Sequence, residues 1–409
     1  MNNFEFKICQ IPKNEKLKTN KYDVKFSNFL SQPRFNYGFH HYIHKAKEKC
    51  SMFDDQKYAK KHLVTNPFEH QINEYDKDIK SMSELYFKVK KNGIISRAFY
   101  KLWEILIIFD IVPANPITAV FLAEAPGAFV QATSYYRMKF NNEKDYLKDK
   151  FYCISVNNGK DITFKEDILK ALNNVTICKE NNGDITNTNN QKDLKQIVNE
   201  ADLITADGGF NWINENYQEQ EAYRLILAEI ISAFRLQKKS GNFVLKFFET
   251  FTPITLKLLL LLNTYYDEVI IYKPFTSRPS NSEKYAICKK FKGIDNKELN
   301  KLETLLENIN KNEMKNNYIT DIFLDYKLSD DIINLNRKLS IDISNKQYLS
   351  INNTISFLNN GIFFGDEYSK FYDKQIVASE FWINTFQQVD NNNLQNIRKE
   401  INKNIIYYQ

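Results

Sequence analysis

Between about residue 86 and residue 292, short apolar runs alternate with helix-length amphipathic segments, and few architectures accommodate that pattern. Residues 96–109 carry Ala98, Leu102, Ile105, Leu106 and Phe109 at helical spacing. Strand-like runs fall at 119–123, 151–156, 175–178, 203–206 and 242–247, with helical segments at 128–139 and 218–238 among them. A helix at 253–265 precedes two closing runs, 268–272 and 284–290. Buried parallel strands need helices on both faces, so this order predicts an α/β fold with a mostly parallel sheet. The turn between the closing runs predicts that the last strand is antiparallel. Residues 1–85 read as an N-terminal extension with some helix, and 293–409 as a mainly helical C-terminal region. There, Leu299, Leu302, Leu305, Leu306 and Ile309 form one stripe behind Asp295, and similar stripes recur at 332–339 and 351–358.

The 409 residues suffice for one large core with extensions. A net charge of +6 permits a polyanionic partner without requiring one. The enrichment in Asn, Lys and Ile reads as the mark of an AT-rich genome. The first ten residues lack the pattern of a signal peptide, and the longest apolar run, 256–262, is interrupted by Lys257 and too short for a bilayer, so no membrane partner is expected. Cys9, Cys50, Cys153, Cys178 and Cys288 are odd in number and show no C-x-x-C pair, which suits free thiols in a reducing compartment. His40, His41 and His44 with Cys50 invite a zinc reading, but structural sites pair their ligands more tightly. Aromatic packing and surface histidines are the favoured reading, and no metal is expected. The basic stretches 13–21 and 45–49, with Phe35, Tyr37, Phe39 and Tyr42 interspersed, suit RNA stacking and domain packing equally.

Four segments carry side chains with chemistry to do. Glu124, Ala125, Pro126, Gly127, Ala128 and Phe129 form a small-residue turn from a strand into a helix, where backbone can approach a ligand. In doubly wound sheets, ligands lie at that end of the strands. Asp207 ends the fourth strand on the same side, and Gly208 and Gly209 leave room beside it, although Asp-Gly-Gly alone is often a plain turn. Lys246 lies inside the apolar run 243–248, so it must be paired, emerge at the sheet's end, or snorkel. Glu283 follows a polar turn into the last strand, where a salt bridge is its ordinary role.

In order, the segment 96–105 with Lys101, the turn 122–129, Ala206-Asp207-Gly208-Gly209, and Lys246 followed by 277–283 resemble the FtsJ-type RNA 2'-O-ribose methyltransferases. That family carries a Lys-Asp-Lys-Glu tetrad and a loop similar to G-A-P-G-G-F. The resemblance spans about 94–292, and 205–209 and 277–283 look most like the cap-methyltransferase branch, particularly the enzymes of large cytoplasmic DNA viruses. It implies a Rossmann-like sheet dependent on S-adenosyl-L-methionine, with Lys101, Asp207, Lys246 and Glu283 as catalytic residues. Glu124 through Phe129, Asp184 and Asp207 are implied as cofactor contacts, and Arg97, Ser277, Arg278 and Asn281 as substrate contacts. Three departures stand out: Ala128 replaces the family's second glycine, Glu124 occupies the position before Ala125, and 156–158 lacks the acid that many such enzymes place on the cofactor ribose.

The implied activity is methylation of the 2'-oxygen next to an mRNA cap, with 5'-capped mRNA as partner, in the cytoplasm: host cytoplasm, viral factory or virion. Lys246 would act as base or oxyanion partner, Lys101 would orient the ribose, Asp207 would border the methyl group and align Lys246, and Glu283 would anchor the lysines. A neutral lysine is scarce at neutral pH because its usual pKa is about 10.4. The rivals are 2'-O methylation of ribosomal or transfer RNA, and a catalytically silent RNA-binding subunit of the same fold. A metal-dependent nuclease fits poorly, since two lysines accompany the carboxylates.

Overall fold

A computed structural model describes residues 4–51, 66–68, 93–157, 162–172, 174–209, 214–313, 317–360 and 365–408. Its strands are β1 Phe6–Gln10, β2 Val24–Ser27, β3 Thr118–Leu122, β4 Lys150–Ile154, β5 Val175–Cys178, β6 Ala201–Ala206, β7 Gln237–Phe247, β8 Tyr266–Tyr272, β9 Lys284–Phe291, β10 Tyr318–Ile322 and β11 Ile405–Tyr407. The longer helices are α1 Tyr37–Ser51, α2 Ala98–Phe109, α3 Ala128–Phe140, α4 Thr188–Val198, α5 Gln218–Leu236, α6 Pro253–Tyr265, α7 Asn296–Glu313, α8 Asp330–Asn360, α9 Asp366–Trp382 and α10 Leu394–Lys403.

Nine strands form one sheet in the order β11-β1-β8-β9-β7-β6-β3-β4-β5, and β2 pairs with β10 separately. From β5 to β7 every pairing is parallel. β9 runs antiparallel to both β7 and β8, as the closing turn predicts. The four residues Ala119, Val120, Phe121 and Leu122 are all fully buried. Alternate residues enter opposite cores: Val120 and Leu122 pack with α5, α6 and α7, while Ala119 and Phe121 pack with α2 and α3. This is why the strand is apolar throughout rather than alternating. Strand order reverses at β3, with β4 and β5 on one side and β6 and β7 on the other. A crevice therefore opens beyond the C-terminal ends of β3 and β6.

The termini complete the sheet. β1 pairs antiparallel with β8, and β11 pairs parallel with β1. Local pattern gave no hint of either strand, because their partners are far away in sequence. Trp382, Phe386, Leu394 and Ile401 join the core on the α2 face. The buried Arg398 fastens α10 there by donating to the Leu106 and Ile107 carbonyls, to Asp110 and to the Tyr136 hydroxyl. One boundary moves: the helix read to residue 238 ends at Leu236. Gln237 stops it, since its side-chain amide donates to the Asn242 carbonyl and its oxygen accepts from the Tyr266 hydroxyl, drawing the chain into β7.

Candidate active site

At the crevice, the turn after β3 is organised by Glu124. Its buried Oε1 accepts the backbone N–H groups of Phe129 and Val130 at 2.8 and 3.0 Å, capping the first turn of α3. Burial pushes this carboxyl well above its ordinary value; the Val130 N–H works against that, and nearby Asp207 adds to it. Gly127 sits at φ 114°, a left-handed conformation that favours glycine. Ala128 begins α3 and has no positive φ, so its methyl group carries no backbone penalty. The turns after β4 and β5 are tied together by the Asn157 N–H on the Asn182 carbonyl, at 2.8 Å. Asp184 follows, with its carboxylate accepting from the Thr186 N–H and hydroxyl at 2.9 and 2.7 Å. Asn158 lies outside the described residues.

Asp207 closes β6. Its Oδ1 accepts the Tyr285 hydroxyl at 2.9 Å and lies 3.2 Å from Lys246 Nζ, which also donates to the Asp207 carbonyl at 2.7 Å. Lys246 and Tyr285 face each other in the β7–β9 register. Of the two glycines after Asp207, the first has a steric reason. A Cβ at 208 would stand 2.2 Å from Glu229 Oε1, the acceptor of the Gly208 N–H, and one at 209 would lie 3.5 Å from Lys246 Nζ.

Lys101 reaches in from α2 to both oxygens of Glu283, at 2.8 and 2.9 Å. Glu283 also accepts the Ser277 hydroxyl at 2.9 Å. The loop carrying these residues, 273–283, is held from two directions. Lys273 donates to Ser277 Oγ, to both oxygens of Asn281 and to the Glu283 carbonyl. Glu104, fully buried, takes the N–H groups of Phe275 and Thr276, the Thr276 and Tyr272 hydroxyls and the Trp382 indole N–H. Thus Ser277 and Asn281 turn inward as parts of the loop. Arg97 donates to the Thr276 carbonyl at 2.9 Å and stands near Arg278. Burial, with the Arg278 charge assisting and Glu283 opposing, pushes the Arg97 guanidinium down to about 10.

The two ion pairs form one electrostatic unit. For Lys246, 12% exposed, burial opposes the ammonium, but Asp207, Glu283 and Glu229 outweigh it and raise the lysine above its usual value. For Glu283, burial opposes the charge, and Lys101, Lys246 and Lys273 overcome it and hold the carboxyl low. Burial pushes Glu229 up to about 8, with Lys246 opposing. Acids (Glu124, Asp184, Asp207) stand beyond β3, β5 and β6, while bases (Lys101, Lys246, Arg97, Arg278) come from α2 and the residue before it, from β7 and from the loop before β9. A cation suits the first set and a polyanion the second.

The FtsJ-like methyltransferase family model matches residues 94–291. Those residues are an FtsJ-like methyltransferase domain. The chain is 32% identical over 232 residues to cap-specific mRNA (nucleoside-2'-O-)-methyltransferase 2 of Drosophila melanogaster, covering 54% of this chain and 32% of that protein. An uncharacterized protein of Acanthamoeba polyphaga mimivirus is 34% identical over 247 residues, 58% of this chain and 31% of the other. Cap-specific mRNA (nucleoside-2'-O-)-methyltransferase 1 of Dictyostelium discoideum is 43% identical over 129 residues, 29% and 17% of the two chains. This chain therefore spans about a third or less of the curated relatives it matches.

Within the FtsJ-like domain, sequence reasoning missed Glu104, Glu229, Lys273 and Tyr285. A signal existed for Glu104: with Lys101 it is the only charged residue of α2, a helix apolar on every other side. The histidines of α1 lie beside the domain. His40 and His44 stack edge to face with ring centres 3.8 Å apart, and His40 packs on Phe251, just beyond β7. Among the described residues no group of three or more His, Cys, Asp or Glu is arranged to hold a metal ion. The Cys50 side chain and the domain's expected first residues, 86–92, lie outside the described residues, whereas Cys9, Cys153, Cys178 and Cys288 are buried and in no disulfide. Among the described residues no helix is long and apolar enough to cross a membrane.

Proposed function

We propose that this chain is an S-adenosyl-L-methionine-dependent methyltransferase acting on a ribose 2'-hydroxyl of RNA, at the nucleotide next to the cap of mRNA. The observation that carries the reading is the pairing of Lys246 with Asp207 and of Lys101 with Glu283, in mutual electrostatic contact beside the crevice. The residues present suit the cofactor. Gly209 leaves open the space that a side chain would fill next to Lys246, and the carboxylates of Asp184 and Asp207 suit a ligand carrying positive charge. Those acids, with the turn 124–129 that Glu124 shapes, would hold it. When bound, S-adenosyl-L-methionine supplies an electrophilic methyl group on a sulfonium sulfur.

The charge balance favours one of the two roles open to Lys246. Asp207, Glu283 and Glu229 raise the lysine above its usual value against burial, so at neutral pH the ammonium is the form the site supports. The ammonium is ready to donate to the acceptor oxygen and stabilise charge growing there as the hydroxyl proton leaves to solvent. Asp207 aims that ammonium, Glu283 fixes Lys101, and Lys101 supplies the second cationic contact to the ribose. Arg97 and Arg278 would meet the RNA phosphates, while Ser277 and Asn281 shape the loop. The cap-specific relatives favour a capped mRNA end, and the mimivirus relative supports a setting in host cytoplasm, viral factory or virion.

Replacing Lys246 with Ala should lower methyl transfer by about two to four orders of magnitude while cofactor binding persists. Near-normal turnover would remove the proposal. Defined RNAs differing only in the 5' end, with the methylated nucleotide mapped, separate cap-proximal from ribosomal or transfer RNA methylation. Failure of labelled cofactor to bind would instead favour a silent RNA-binding subunit.

A further inference from the structure

Lys273 stands at the mouth of the loop that delivers Glu283, and every acceptor around it belongs to that loop. Its Nζ lies 2.8 Å from Asn281 Oδ1, 2.9 Å from the Glu283 carbonyl, 3.0 Å from the Asn281 carbonyl and 3.1 Å from Ser277 Oγ. Three N–H bonds thus serve four acceptors, and the lysine closes the loop upon itself. Ser277 cannot donate to Lys273, because an ammonium has no acceptor; of its two acceptors, Glu283 Oε1 at 2.9 Å is nearer and charged, and Asn281 Oδ1 lies at 3.3 Å. A continuous relay results: Lys273 ammonium to Ser277 hydroxyl, Ser277 hydroxyl to Glu283 carboxylate, and Lys101 ammonium to the same carboxylate. Glu283 is held at its carbonyl by Lys273 directly and at its carboxylate through Ser277.

We propose that Lys273 is a positioning residue for Glu283, closing the 273–283 loop and aiming the carboxylate, through Ser277, at Lys101 and Lys246. This inference rests on the methyltransferase reading above. A residue kept only for loop strength would need no hydroxyl handed on to the acid. A lysine merely filling space would not place its charge among the groups that keep Glu283 ionised, as Lys273 does alongside Lys101 and Lys246. Burial pushes the Lys273 ammonium down to about 7, Glu283 opposes that fall, and Lys284 and Lys101 add to it. Glu283 is thus the main support of the Lys273 charge against burial.

The test uses the full chain with Lys273→Met, Ser277→Ala, the double variant, and Lys246→Ala in parallel. Each is assayed for kcat, for KM with S-adenosyl-L-methionine and with capped RNA, and for thermal unfolding. Displacing a group at the reacting centre by about 1 Å costs about 10²-fold, so Lys273→Met should lower kcat by about 10- to 100-fold with both KM values within about twofold. Ser277→Ala should lower kcat less, and adding it to Lys273→Met should cost little more, because both interrupt one relay. Unchanged kcat in Lys273→Met beside a collapsed Lys246→Ala would overturn the inference and leave the function standing. Unchanged turnover in Lys246→Ala would instead overturn the function. If Lys273→Met does not fold, Ser277→Ala decides alone: lowered kcat at unchanged KM supports the relay, while unchanged kcat, with or without a raised RNA KM, overturns it.

Discussion

Replacing Glu104 tests how the catalytic loop is held from beneath. The carboxylate accepts five hydrogen bonds: Oε1 from the Thr276 N–H, the Thr276 hydroxyl and the Trp382 indole, and Oε2 from the Tyr272 hydroxyl and the Phe275 N–H. In Glu104→Gln the carbonyl can keep the three donors at Oε1. The new NH₂ faces Tyr272, whose hydroxyl can turn to accept, and Phe275, whose N–H cannot. Two buried donors, the Phe275 N–H and the amide hydrogen facing it, are then unsatisfied, costing about 2–6 kcal/mol. Burial raises the Glu104 carboxyl, its hydrogen bonds opposing, so removing the charge returns part of that cost. In Glu104→Leu the two hydroxyls can rotate away, but the Phe275 and Thr276 N–H groups and the Trp382 indole remain, for about 3–9 kcal/mol. Chemical unfolding of both variants should therefore show Leu as the costlier, by about one buried donor, or about 1–3 kcal/mol. Methyl transfer per folded molecule should fall in Leu because Glu283 shares the loop. Equal stabilities for the two variants, or a Leu variant within about 1 kcal/mol of the parent, would refute the reasoning.

Acid should loosen α1 from the end of the sheet where the site lies. Burial lowers His40 to about 4, with Glu249 opposing and Lys47 assisting, and lowers His44 to about 3, with His40 assisting. The unfolded chain takes up these protons near pH 6.5, so their contribution is complete above that value and is lost as pH falls toward 4 and 3. Replacing both with Phe should flatten the stability profile between about pH 6.5 and 4, and an unaltered profile would contradict this. At the opposite end of β3, the fully buried Arg137 pairs with Asp149 at 2.6 Å, and Asp149 also accepts the Ile117 N–H. Asp149→Ala should destabilise by about 3–5 kcal/mol, since it strands a buried guanidinium. Cofactor affinity of the folded fraction should hold; a selective loss of that affinity would count against the separation of the two ends.

How much of this was legible depended on whether a residue's environment is set by its neighbours in sequence. Lys246 announced itself because an ammonium inside the apolar run 243–248 has no ordinary place there. Asp207 was legible because a strand end followed by two glycines is a local event, although the reason for Gly208 is Glu229, contributed by α5. Lys273 was not legible: a lysine following a strand reads as a solvated end, and only the folded loop brings its four acceptors around it. β1 and β11 escaped for the same reason, as β1 pairs with the distant β8 and with β11 near the other end of the chain. Ser277 and Asn281 illustrate the converse limit. A polar residue in a motif identifies the loop that matters but not the direction in which its side chain points, and here both turn toward Lys273. The charged residues of the site were thus visible one by one, while the neutral and buried groups that aim them required the fold. It follows that variants designed from motifs alone would probe the paired charges and leave their supports, Glu104 and Lys273, untouched.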